Sequence, residues 1–400
     1  MINNDKGLLP AGLSDVLAPD AAYEASILET LIEEFSANGY DRIAPPLIEF
    51  EESLLTGIGS GLAEQTFRIM DPDSQKMMGV RADMTPQVAR IAAIRLSKVP
   101  RPLRLSYAGQ VLRVRGSQLR PERQFNQVGA ELIGPDKAMA DAEVIVLAAA
   151  ALEKIGVKEL SVDLGLPKLA AAVISNTEEN LKSRVRLRQA LDRKDSAAIA
   201  ELSEDYGQEI VKTLTSMLNA AGPANEALDV LKSLPLKGEA KKGRNLLAEV
   251  IGRVSTALPK LNLTVDPVEN RGFEYHTGVT FTFFAKGVRG ELGNGGRYMA
   301  NSVSSGESKN IKQEAATGFT LFMDTVLRAL PLPPERRRIY IPAETPVDVA
   351  NSLRTEGWIT VAALSFDENT INEADRLGCA HILQNNKVIS ISEKKLEIKD

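Results

Sequence analysis

Four segments far apart in the chain combine bend-permitting residues with acids, amides, arginines and tyrosines. They are Arg81-Ala-Asp-Met-Thr-Pro86, Arg123-Gln-Phe-Asn-Gln127 with Glu131 beyond it, Arg271-Gly-Phe-Glu-Tyr275, and Gly293-Asn-Gly-Gly-Arg-Tyr298. Asp83 and Thr85 stand at the start of a helical pattern, where both could serve only as caps. The positive end of a helix also lets an aspartate keep its charge and face a ligand's ammonium group. Gln127 and Glu131 lie four residues apart, so on a strand they share a face. Glu131 sits among Val128, Leu132 and Ile133, and burying a carboxylate without a partner is costly. Arg113 and Arg115 flank Val114 on one expected strand face, with Arg120 and Arg123 following. That is either a solvated basic loop or an anion site, because arginine bonds carboxylate and phosphate in bidentate fashion. Gly272 permits close backbone approach and so places Arg271 against a bound group. Tyr275 and His276 fall on opposite faces if extended, and a lone histidine is by default a satisfied polar contact. The run Gly293-Asn-Gly-Gly296 lacks the Lys-Ser/Thr of a phosphate loop. Its glycines are expected to bend the chain under a pocket that Tyr298 enters. Together the segments supply what a free amino acid requires: acids and amides for the ammonium, arginine for the carboxylate, Glu and Tyr for a polar side chain.

Segments so separated can form one pocket only on a sheet. Asp20 is placed to cap a helix in which Ile27, Leu28, Leu31, Ile32 and Phe35 recur at helical spacing, ended by Asn38-Gly39. Residues 40–50 are extended, and Pro45-Pro46 confines them to an edge or interface. Residues 66–81 read as a hairpin. Thr85 as cap and Pro86 open a helix running to about Leu96. Residues 100–115 and 124–133 read as strands, Asp136 caps a helix ending at Gly156, and residues 160–164 alternate as a strand. Residues 170–258 are rich in Ala, Leu, Lys and Glu and read as a helical insertion. Strands return at 261–265 and 278–284, residues 318–330 read as a closing helix, and Pro331-Leu-Pro-Pro334 as a linker. The expected organisation is a core over 1–169 and 259–330, the insertion over 170–258, and a small α/β domain over 335–400.

The composition of the 400 residues, 44% hydrophobic and 25% charged, is globular and long enough for two or three domains. A net charge of -5 argues against a dedicated nucleic-acid binder. One cysteine, Cys379, forms no intrachain disulfide and fits a reducing cytoplasm. With two histidines, His276 and His381, a structural zinc site is disfavoured and no cofactor is expected. No apolar run approaches the ~18 residues of a membrane span, and the polar N-terminus has no signal-like core.

In order and chemistry the four segments resemble the histidine-binding core of class II histidyl-tRNA synthetases, over roughly residues 5–330. Pro10-Ala-Gly-Leu-Ser-Asp15 resembles the family's opening turn, Pro45 or Pro46 the dimer-interface proline of motif 1, and Arg113 the arginine of motif 2. The resemblance implies an α+β fold: an antiparallel sheet flanked by helices. It also assigns Asp83, Thr85 and Gln127 to a histidine ammonium group, and Arg113 and Arg271 to the carboxylate. Glu131, Tyr298 and His276 fall to the imidazole, with Tyr275 a further candidate. Two departures fall where such an enzyme holds ATP. Arg113-Val-Arg115 replaces Arg-x-Glu, and in Gly318-Phe-Thr-Leu-Phe-Met-Asp-Thr325 a threonine replaces the phosphate-clamping arginine and Phe322 a glycine. Residues 335–400 resemble a truncated anticodon-binding domain. A histidine pocket without an ATP site resembles the regulatory subunits of ATP phosphoribosyltransferase, which are synthetase paralogues. That resemblance implies a chain without catalysis of its own, partnered by a short-form catalytic subunit, responsive to L-histidine, and self-associating through the synthetase-like dimer interface. A divergent aminoacylating enzyme and a histidine-binding module for another partner stay open as alternatives.

Overall fold

The computed structural model describes residues 8–118, 120–175, 181–269, 275–303, 311–365 and 370–392. It divides into two units, residues 1–331 and 332–400.

Within the first unit the strands are β1 (Asp41–Arg42), β2 (Ile48–Phe50), β3 (Arg68–Met70), β4 (Met77–Val80), β5 (Leu103–Leu112), β6 (Gln124–Ile133), β7 (Leu160–Gly165), β8 (Gly222–Pro223), β9 (Asn262–Asp266), β10 (His276–Ala285), β11 (Gly293–Val303) and β12 (Ile311–Phe322). Among the described residues nine of them form one sheet in the order β1-β5-β6-β12-β11-β10-β7-β9-β8. It is antiparallel except for β1 against β5 and β7 against β9. β2, β4 and β3 form a separate antiparallel sheet.

Strand periodicity explains the two layers that cover the large sheet. Val128, Ala130 and Leu132 of β6 join a core with Leu31 and Phe35 of α1 (Asp20–Ala37). Residues on the opposite parity turn the other way. Ile133, Leu105, Tyr107 and Tyr298 pack instead with Val88 and Ala92 of a helix at Thr85–Ile94. Between α1 and that helix lies α2 (Glu51–Leu54), so the latter is α3. The first core extends over α4 (Ala138–Lys154) into α5 (Leu169–Ile174), α6 (Leu181–Asp192), α7 (Ser196–Ala200), α8 (Ser203–Tyr206), α9 (Gln208–Asn219), α10 (Ala224–Ser233) and α11 (Gly238–Ala257). Among the described residues, the elements between β7 and β9 are thus all helices apart from β8.

Several sequence expectations are corrected. Residues 318–330 are not one helix: Gly318 to Phe322 finish β12, and only α12 (Met323–Arg328) is helical. The glycine run expected to bend the chain is paired strand, with Gly293 opposite Leu321 and Gly296 opposite Gly318. Three expected caps are each displaced by one residue. Asp20 lies inside α1, Thr85 inside α3, and Asp136 ahead of the Lys137 cap position, where it pairs with Arg297. Asp83 does the capping at α3, its Oδ1 accepting the Thr85 amide at 2.9 Å.

The second unit holds β13 (Arg338–Ile341), α13 (Val347–Thr355), β14 (Ile359–Ala362), α14 (Thr370–Arg376), β15 (His381–Gln384) and β16 (Lys387–Ser390), with sheet order β14-β13-β15-β16. Asn385 and Asn386 take positive φ in the tight turn between β15 and β16, a conformation asparagine tolerates well.

Candidate functional site

The face of the sheet toward α3 carries a small cavity of about 30 Å³, lined in part by Asp83, Thr85, Glu131, Tyr275, His276 and Tyr298. Six of the nine residues singled out from the sequence therefore meet in one place. Asp83 arrives from the turn before α3, Glu131 from the middle of β6, and Tyr298 from β11. The His276 Cα pairs with that of Tyr298 across β10 and β11.

Gln127 does not line the cavity but supports it. Its side chain is fully buried. Its Oε1 accepts the Met84 amide at 3.0 Å and its Nε2 donates to Asp83 Oδ2 at 2.9 Å. The acid at the head of α3 is thus fixed by one side-chain amide and one backbone N–H. Tyr275 and His276 were expected on opposite faces. Tyr275 instead lies in the turn before β10, and its ring tilts over His276 with centroids 4.0 Å apart, so both line the cavity.

Arg113 and Arg115 were expected on a strand, but β5 stops at Leu112 and the chain bends. Arg113 Nε donates to the Ala82 carbonyl at 3.3 Å and its guanidinium lies 5.1 Å from the Phe125 ring centre; it does not line the cavity. Arg271 lies outside the described residues.

Glu131 is the electrostatic centre of the site. It is 1% exposed. Its Oε2 accepts the Tyr298 hydroxyl at 3.0 Å, while the Tyr107 hydroxyl stands 3.5 Å from Oε1. Burial pushes the carboxyl up to about 8, the Tyr298 hydrogen bond working against it and the Asp83 charge with it. Burial and the same carboxylate hold the Tyr298 and Tyr107 phenols well above their usual range.

Tyr107, Thr320, Asn294 and Phe319 were not singled out from the sequence. Tyr107 binds Thr320 Oγ1 at 2.7 Å and stands 3.4 Å from Thr85 Oγ1. Alternation of Leu103, Leu105 and Tyr107 on β5 was the available signal for its facing inward. Asn294 and Thr320 become neighbours only through the register of β11 on β12, which no local pattern reveals. Two glycines make room. A Cβ on Gly318 would stand 1.9 Å from Glu131 Oε2, and one on Gly129 2.4 Å from the Tyr107 hydroxyl.

Around Phe322 and Thr325 the chain packs against itself. The Arg120 guanidinium lies 3.7 Å from the Phe322 ring centre and pairs with Asp324 at 3.1 Å. Phe322 meets Phe125 edge-on at 6.1 Å. Thr325 is buried and accepts a bond from Arg328, which also pairs with Glu122 at 3.6 Å. Among the described residues no group of three or more His, Cys, Asp or Glu could hold a metal ion. Nor is any helix there long and apolar enough to cross a membrane.

Comparison with known proteins agrees with the fold. The histidyl-tRNA synthetase family profile matches residues 12–326. An ATP phosphoribosyltransferase regulatory subunit from Paramagnetospirillum magneticum is 53% identical over 387 residues, covering 97% of this chain and 98% of that protein. One from Rhodospirillum centenum is 51% identical, covering 98% of each. Among solved structures, an ATP phosphoribosyltransferase regulatory subunit/histidyl-tRNA synthetase from Bacillus halodurans superposes with a TM-score of 0.78 at 26% identity, over 94% of this chain and 97% of that one. Histidyl-tRNA synthetase from Nostoc, at 17% identity and a TM-score of 0.75 over 98% and 99% of the two chains, shares the class II fold. This chain belongs to the ATP phosphoribosyltransferase regulatory subunit family, a histidyl-tRNA synthetase-like group.

Proposed function

We propose that this protein is a non-catalytic histidine sensor. In this reading it assembles in the cytoplasm with a short-form ATP phosphoribosyltransferase catalytic subunit. The partner joins ATP to phosphoribosyl pyrophosphate, the first committed step of histidine synthesis. This chain is required for that activity and conveys feedback inhibition by L-histidine. The observation that carries the reading is a contrast within one face of the sheet. A small polar cavity is furnished with Asp83, Thr85, Glu131 and Tyr298, while the positions that the resemblance gives to ATP are taken by Arg120 stacked on Phe322. Adenylate formation needs cationic groups positioned on a polyphosphate. Arg328, three residues beyond Thr325, is engaged with Thr325 and Glu122.

In the bound state Asp83, held by Gln127, and Thr85 take the ammonium group. Glu131 and Tyr298 take the ring, with His276 and Tyr275 packing beside it. Arg271 keeps the carboxylate; Arg113, turned to the Ala82 carbonyl, supports the strand end instead. Contacts alone do not regulate. Histidine must bind one quaternary state better than another, and a coupling of ~1–3 kcal/mol suffices for a useful switch. Self-association through the synthetase-like interface belongs to the same proposal.

Calorimetric titration with L-histidine, with and without a non-hydrolysable ATP analogue, tests it. The expected result is histidine binding that the analogue leaves unchanged, and no heat from the analogue itself. Tight analogue binding that strengthens with histidine contradicts the reading and indicates an adenylating enzyme.

A further inference from the structure

We propose that Glu131 meets the ligand as a neutral acid whose O–H donates to a ring nitrogen lone pair, so that the cavity selects an uncharged heteroaromatic side chain. The inference rests on the reading of the cavity as a histidine site and adds the protonation state in which it works.

The surroundings of Glu131 carry the argument. Its side chain is buried against α3 and the middle of the sheet. Among the described residues it forms no ion pair with lysine or arginine, and its hydrogen-bond partners are hydroxyls. Tyr298 reaches Oε2 at 3.0 Å. Tyr107 is long at 3.5 Å because its short contact, 2.7 Å, goes to Thr320. Among the described residues the titratable groups facing it are an acid, Asp83, the phenols of Tyr107, Tyr275 and Tyr298, and the imidazole of His276. Two carboxyl groups thus share one small cavity in unlike environments, a pattern that assigns them different roles. Asp83 accepts two N–H donors, from Thr85 and Gln127, and supplies the charge that faces an ammonium group. Glu131 has burial, hydroxyls and a nearby like charge, and these push it up to about 8. With Tyr298 donating to one oxygen, the protonated second oxygen has a hydrogen bond to give.

A neutral imidazole completes that bond, because one of its nitrogens carries a lone pair. An imidazolium, a lysine ammonium or an arginine guanidinium presents only donors and would leave two donors opposed. The matched state spans the interval between the imidazole's own value, about 6.5, and that of Glu131. No proton is taken up or released on binding within it.

The test is calorimetry on the full chain with L-histidine at about pH 7 and about one unit below the ring's own value, and with 4-thiazolyl-L-alanine, whose ring has a lone-pair nitrogen and no N–H. The proposal expects affinity about tenfold weaker at the acid pH, since roughly nine-tenths of the ligand is then imidazolium. It expects thiazolylalanine to bind within about tenfold of histidine at pH 7. It also expects Glu131→Gln, whose amide still donates, to keep the acid-side fall. Affinity that holds or rises toward acid pH overturns the proposal and leaves the histidine site standing, as does failure of thiazolylalanine to bind where histidine does. No heat from histidine at any pH overturns the site and the proposal with it.

Discussion

The charge on Asp83 is held in place by atoms that have no other task. Gln127 spends both ends of its amide on Met84 and Asp83, and the Thr85 amide at the head of α3 completes the set. Asp83→Ala removes a charged hydrogen-bond acceptor for the ligand, worth ~1.5–3 kcal/mol. L-histidine affinity should fall by about tenfold or more by calorimetry; an unchanged affinity would move the ammonium site elsewhere. Glu131 makes a second prediction through stability. Its folded value, about 8, lies above the ordinary 4.5. Between those values the folded chain keeps a proton that the unfolded chain has released, so stability falls as pH rises through that window. The contribution is fully present below the ordinary value and lost above about 8. Glu131→Gln should remove this dependence. Urea unfolding at about pH 5 and at about pH 9 should show the parent losing on the order of a few kcal/mol more than the variant. Parallel losses in both would contradict the neutral buried acid.

At the scale of elements, the sheet is what converts distant residues into a site, and α4 pins it. Arg297, next to Tyr298 on β11, is buried and donates to Asp141 of α4 through Nη2 at 2.7 Å and to the Lys137 carbonyl at 2.6 Å. It also pairs with Asp136, whose side chain is 81% exposed. Removing one partner of a buried pair leaves the other charge uncompensated. Asp141→Ala should therefore cost about 3–5 kcal/mol in urea unfolding, and Asp136→Ala under about 1 kcal/mol. Equal costs would show that the pair is not the anchor. Strands with plain alternation were legible in sequence: β6 runs over residues 124–133 as read, and α1 ends at Asn38-Gly39 as read. The other half of the pocket wall was not. β11 opens on Gly293-Asn-Gly-Gly296, and those glycines mimic a turn although they serve to thin the pocket floor, where a Cβ on Gly295 would stand 2.1 Å from the Gly318 carbonyl oxygen. The end of β12, Gly318 to Phe322, is a short apolar run continuous with α12, and such a run does not reveal its period. The site residues recognised in advance carried chemistry in their own types. Asn294 and Thr320 acquire their place only from strand register, which is a property of the assembled sheet.

For the whole molecule, the proposal assigns one surface to sensing and leaves catalysis to a partner. That assignment is supported by the relatives' regulatory-subunit names and by the self-packed Arg120–Phe322 region. A sensor of this kind acts only through the equilibrium between states of a complex, because a ligand shifts states no further than its differential affinity allows. The most direct measurement is therefore the rate of phosphoribosyl transfer to ATP by a purified short-form catalytic subunit, alone, with this chain, and with this chain plus L-histidine. The account predicts little activity from the catalytic subunit alone, strong activation on adding this chain, and inhibition of the assembled complex by L-histidine. A catalytic subunit equally active without this chain, or an assembled complex indifferent to L-histidine, would contradict it.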